Sequence, residues 1–181
     1  MVEQPDPDTK DWTWVLERAC PECGFDTTLP EREDLAPLTS YLAVRWSGVL
    51  STHPDPRTRP EPKVWSPLEY GCHVRDVFDL ATMRLRLMRA EDGVRFANWD
   101  PDPTAIESDY AGQDPAEVAA AIAVAGQAFA DAVAAIGDDE WSRRGLRGDG
   151  AEFTIETFTR YLLHDPAHHL TDVTGQRFSS S

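Results

Sequence analysis

The stretch SPLEYGCHVRDVFDLATMRLRLM, Ser66 to Met88, decides the fold. Ser66-Pro67-Leu68-Glu69 is a capping box with proline at the first helical position, where its missing N–H would be unpaired anyway. Tyr70, Val74, Val77, Ala81, Leu85 and Met88 then recur as one apolar stripe, and Gly93 ends the segment. Apolar residues at steps of three and four specify an amphipathic helix. Outward from this helix the same grammar repeats. From Glu33 to Leu50, Leu35, Leu38, Leu42, Trp46 and Val49 keep the helical period, with Pro37 expected in the first turn. Asp114-Pro115-Ala116-Glu117 opens a third helix, whose stripe is Val118, Ile122, Ala125, Phe129, Val133 and Ile136. A fourth runs from about Thr154 to Val173, stopped by Gly175. Four such helices with little strand signal predict an all-α, four-helix bundle spanning residues 1–181 as a single domain.

The connections are long for a bundle. Residues 51–65 are proline-rich and locally basic, 94–113 read as a long, partly ordered loop, and 137–153 as a glycine-rich loop. Residues 11–30 start helical and break at Cys20-Pro21-Glu22-Cys23-Gly24, and residues 1–10 are polar and expected to be flexible. The 181 residues carry 17 Lys and Arg against 32 Asp and Glu, a net charge of −15. That balance argues against nucleic acid and anionic membranes as partners. No uninterrupted apolar run reaches the roughly 18 residues of a spanning helix. Three cysteines, an odd number, and an N-terminus without signal-peptide character point to a reducing cytoplasm.

Histidine carries the chemical signal. Three of the five lie in His164-Asp165-Pro166-Ala167-His168-His169. His164 and His168 share a helix face and can reach one ion, whereas His169 is rotated by about 100° and does not easily join them. His73, beside the stripe of the second helix, could complete a three-histidine set with open positions, suited to Zn²⁺, Ni²⁺ or Fe²⁺. The same spacing is compatible with surface polarity and an ordinary core histidine. Pro166 either kinks this helix or marks a break capped by Asp165. Cys20-x-x-Cys23 resembles half of a zinc knuckle with no second C-x-x-C, which leaves a second metal site, a redox pair or a packed turn open. Cys72 reads as core. Arg75 and Asp76 follow His73 and could orient its imidazole. Arg143, Arg144 and Arg147 could grip an anion, and Trp65, Trp99 and Trp141 could wall a pocket.

Trp65 to Val77, followed downstream by Tyr161-Leu162-Leu163-His164-Asp165-Pro166-Ala167-His168-His169, resembles the DinB-like superfamily, in its actinobacterial branch. Trp12 to Arg18, the Cys20 to Asp26 box, Asn98-Trp99-Asp100 and Asp149 to Thr154 extend the resemblance over nearly the whole chain. It implies a four-helix bundle with a divalent metal, zinc foremost, on His73, His164 and His168. It also implies chemistry: S-transfer or isomerisation in which a metal-bound thiol such as mycothiol attacks a small electrophile. In such an enzyme Trp65, Arg75, Trp99 and Arg147 would place substrate or co-substrate. Metal-dependent hydrolysis and non-catalytic metal binding in a stress-related protein are the alternatives. The resemblance allows a homodimer, although the helix faces carry no clear exposed apolar stripe.

Overall fold

A computed structural model describes residues 10–179. The expected flexibility of residues 1–10 falls, except for Lys10, outside them. The four long helices are α1 (Arg32–Thr52), α2 (Pro67–Ala90), α4 (Pro115–Ala134) and α5 (Ile155–Thr174), with a short α3 (Pro101–Glu107) between α2 and α4. Each long helix begins where local chemistry dictates. Ser66 Oγ accepts from Glu69 N and the Glu69 carboxylate accepts from Ser66 N, closing the capping box at 3.2 and 2.8 Å. Asp114 Oδ1 accepts from Ala116 N and Glu117 N, and Thr154 Oγ1 accepts from Thr157 N. At the far end of α5, Gly175 takes φ +68°, the left-handed cap that glycine adopts without strain.

Helix α4 packs most extensively on α1 and then on α2, while α2 also packs on α5. Trp46, Phe78, Phe129 and Phe158 are fully buried among them. Removal of this much aromatic and aliphatic surface from water supplies the main driving force for the bundle. Helix α4 is long and apolar enough, by composition alone, to cross a membrane. Its Val118, Ile122, Phe129 and Val133 belong to the core of the bundle.

Three expectations change. Pro37 lies in the second turn of α1, because that helix starts at Arg32. The loops 94–113 and 137–153 contain a small sheet, β1 (Val94–Phe96), β2 (Arg144–Arg147) and β3 (Glu152–Thr154). Strand β1 runs parallel to β2 with Val94 opposite Gly145, and β2 runs antiparallel to β3 with Gly145 opposite Phe153. Three- and four-residue strands are too short to display an alternating pattern, so the sheet is set by tertiary pairing. The helical start in 11–30 is a single 3₁₀ turn, Thr13–Leu16.

Proline 166 neither ends α5 nor starts a new helix at Asp165, since α5 runs unbroken through it. Its carbonyl accepts a 2.8 Å hydrogen bond from the Trp46 indole, which ties α5 to α1 just where the histidines project.

Candidate functional site

The histidine-bearing turns of α5 present two adjacent faces, and the fold gives each a different partner. His164 and His168 face the N-terminal segment, where Cys23 Sγ lies 3.7 Å from His164 Nε2 and Cys20 Sγ lies 3.7 Å from His168 Nδ1. The donor atoms of these four residues all fall within 4.8 Å of one another, and all four side chains are buried. The Cys-Pro-Glu-Cys-Gly turn that supplies the sulfurs is closely tied. Cys20 N donates to Phe25 O, Gly24 N to Cys20 O, and Phe25 N to Cys23 Sγ at 3.4 Å. Gly24 has φ +80°, and a Cβ there would stand 2.2 Å from the Phe178 carbonyl oxygen, so only glycine fits. Trp12 covers both imidazoles, with ring centroids 5.3 Å from His164 and 5.0 Å from His168.

About 100° around the helix, Asp165 and His169 face α2. There His73, Asp165 and His169 form a second group of donors within 4.8 Å. His73 Nε2 is 3.2 Å from Asp165 Oδ1 and 3.3 Å from Oδ2, with hydrogen-bond geometry to Oδ2. Asp165 Oδ1 and His73 Nδ1 are buried without a hydrogen-bond partner among the described residues. Trp99 stacks on the His73 ring at 5.4 Å, and Asp172 holds His169 Nδ1 at 2.9 Å, leaving its other nitrogen toward the group. The set His73, His164 and His168 expected from the sequence is therefore divided. His73 meets Asp165 and His169, and the other two meet the cysteines.

His73, Asp165 and His169, and from the other group His164 and His168 but not the cysteines, border one cavity of about 460 Å³. Trp65, Trp99 and Arg147 line it, together with Arg84 and Tyr161, which sequence reasoning passed over. Arg147 is held by Asp149 at 2.8 Å and by the Tyr161 hydroxyl at 3.1 Å. Arg84 is buried; its Nη2 donates to Ala97 O, while its Nε has no partner among the described residues. Arg75 is not among the lining residues: it pairs with Asp76 and donates to Gln113. Arg143 bonds the Arg89 carbonyl and Arg144 pairs with Asp92, so neither reaches the cavity. Cys72 sits in the core with Sγ 3.8 Å from Tyr110 O.

Electrostatics follow from burial. Burial, with His168 adding repulsion, pushes the His164 imidazole down to about 4, so it is neutral at pH 7, the form that ligates metals. Burial lowers His168 in the same direction. The Cys23 thiol is pushed up to about 12, again by burial. Burial also opposes ionisation of Asp165, but His73 and His169 outweigh it and hold the carboxyl far below the usual range. Arg84 is lowered to about 10 by burial, with Arg147 adding repulsion, and remains a cation at neutral pH.

The signal for the second group was present in the sequence. Asp165-x-x-x-His169 repeats the spacing of His164-x-x-x-His168 one residue on, so two ligating pairs interleave on adjacent faces.

The comparisons agree with this architecture. The sequence profile of the DinB superfamily matches residues 41–173. A solved structure, YfiT from Bacillus subtilis, superposes with a TM-score of 0.72 at 16% identity, covering 80% of this chain and 84% of that one. It is described as "a probable metal-dependent hydrolase with an unusual four-helix bundle topology". Among curated protein sequences none matches. With its profile spanning α2, α4 and α5, this chain belongs to the DinB superfamily.

Proposed function

We propose that the chain is a metal-dependent enzyme that activates a small nucleophile at His73, Asp165 and His169 and delivers it to an electrophile in the adjoining cavity. One observation carries this: two imidazoles and a carboxylate converge, and open onto about 460 Å³ of space. No fourth protein donor groups with them among the described residues, which leaves positions for substrate. The donor set suits Zn²⁺, Ni²⁺ or Fe²⁺, and a buried carboxylate oxygen without a hydrogen bond fits a cation as its partner. A divalent cation held there supplies the charge that turns a bound thiol or water into a nucleophile near neutral pH.

The chain's own residues do the rest. Asp172 fixes the tautomer and tilt of His169, and Trp99 stacking fixes His73. Arg84 and Arg147 offer cationic donors to an acidic group on the substrate or co-substrate. Trp65 and Trp99 add apolar surface to a wall otherwise rich in charged and polar side chains.

The family resemblance favours a low-molecular-weight thiol of the mycothiol type as the nucleophile. A cavity of this volume is in the range that holds a drug-sized molecule, more than water alone requires. Hydrolysis is supported by the description of the Bacillus subtilis relative and would use the same residues. Incubation of metal-loaded protein with a panel of small electrophiles and esters, with and without mycothiol, tests the two. A metal-dependent conjugate formed only with thiol supports S-transfer. Turnover without thiol supports hydrolysis, and stoichiometric metal with no turnover in either arm supports a binding protein.

A further inference from the structure

We propose that Cys20, Cys23, His164 and His168 form a separate, closed zinc site that fastens the N-terminal segment to α5. It shares no ligand with the His73 group and does not rest on the function proposed for that group.

The donor geometry fits a tetrahedron. With Zn–S near 2.3 Å and Zn–N near 2.05 Å, a tetrahedral S···N edge is about 3.6 Å. Two of the four S···N edges, Cys20–His168 and Cys23–His164, are each 3.7 Å, and the four donors all lie within 4.8 Å of one another. Two thiolates and two neutral imidazoles around Zn²⁺ sum to zero charge, which a buried position tolerates far better than an unbalanced set. The Cys20–Gly24 turn matches what a zinc knuckle needs, with the Phe25 amide directed at the Cys23 sulfur. The outer nitrogen of His168 faces carboxylates, Glu22 at 3.6 Å and Asp172 at 3.9 Å, the usual environment of a ligating imidazole.

The segment has little regular structure of its own for a metal to reinforce. Residues 10–31 contain one four-residue 3₁₀ turn and no other regular element. They meet α5 at these four side chains and Trp12, and again where Arg160 donates to the Thr27 and Pro30 carbonyls, with Val15 and Phe25 buried. A metal whose ligands come from both pieces converts binding energy into docking energy. Docking matters to the cavity, because Lys10, Trp12 and Glu22 form part of its wall. Four protein ligands leave no open coordination position, so the site is structural.

The test is cobalt substitution of the full chain. Co²⁺ on cysteine sulfur gives a thiolate-to-metal charge-transfer band in the near ultraviolet and intense tetrahedral bands in the red; nitrogen and oxygen ligands alone do not give the first. We expect that band in the wild type and in His73→Ala, weakened in Cys23→Ser, which keeps one sulfur, whereas in His168→Ala the band persists and the tetrahedral bands in the red change. Thiol titration and X-ray absorption of the zinc-loaded His73→Ala protein give a readout that needs no cysteine variant. A shell of two sulfurs and two nitrogens, with Cys20 and Cys23 protected from alkylation, is the expected result. A shell without sulfur, or a Cys20–Cys23 disulfide in protein purified without oxidant, overturns the proposal. Loss of turnover in His73→Ala with the sulfur band intact would concern the cavity reaction alone.

Discussion

His168 and His169 are adjacent in sequence yet serve opposite neighbours. His168 Nδ1 lies 3.7 Å from Cys20 Sγ, whereas the His169 ring packs 5.1 Å from His73 on α2. One residue of helical rotation, about 100°, separates a group with two sulfur donors from one with none. The consequence is that substitutions one residue apart should have different kinds of effect.

At the cavity group, Asp165→Asn retains shape and removes charge. Metal bound with nitrogen and oxygen ligands, and any turnover dependent on it, should fall by at least about 100-fold, the upper range seen when ligand environments are altered. Metal analysis with the cobalt spectrum in parallel checks this. Unchanged turnover would remove Asp165 from the site.

Arg84 should separate binding from stability. Losing a charge-assisted hydrogen bond to a substrate anion costs about 1.5–3 kcal/mol, which corresponds to roughly 10–100-fold in KM. In Arg84→Met that rise should appear with kcat little changed. Thermal stability should hold or increase, because a buried guanidinium with an unpartnered Nε is replaced by an apolar chain of similar length. A lowered Tm with unchanged KM would assign Arg84 to structure.

Glu69 should make stability pH-dependent. Burial raises its carboxyl, but hydrogen bonds from Arg59 and Ser66 outweigh burial and hold it below the ordinary 4.5. A lowered folded value means the contribution is complete above the ordinary value and is lost as pH falls through the folded one. Breaking this buried pair in Glu69→Gln should cost about 3 kcal/mol at pH 7. Urea denaturation at pH 7 and at pH 3 should show the gap between variant and wild type closing in acid.

Gly126→Ala pits two effects of opposite sign. Alanine in a helix interior gains about 1 kcal/mol over glycine. Its Cβ, however, would stand 2.2 Å from Ala43 Cβ on α1 and 3.3 Å from the Phe78 ring. Overpacking of this kind costs about 1–3 kcal/mol, so the variant should be destabilised or, at best, neutral by denaturant midpoint. A stabilised variant would mean that α1 and α4 can part without penalty.

Much of the bundle was readable in the chain. The capping residues Ser66 and Asp114 start helices as expected, because a cap is a contact within four residues, and the last helix starts next to Thr154 where its period placed it. The small sheet was not readable: Gly145 takes its place through contacts with Phe96 and Met88, far away in sequence. Arg75 shows the same limit from the other side. Adjacent to His73 in the chain by two positions, it turns away to Asp76 and Gln113.

The sequence by itself determined the four helices, the cluster of histidines on the last of them and the resemblance to one superfamily, because helical period and capping are local properties. Only the tertiary structure decided which donors meet. His164 and His168 were separated from His73 because α5 turns by about 100° per residue, so each of its faces takes as partner whichever element packs against it. The Cys20–Cys23 turn, 141 residues before its histidine in the Cys23–His164 pair, reaches that face through chain folding that no local spacing encodes.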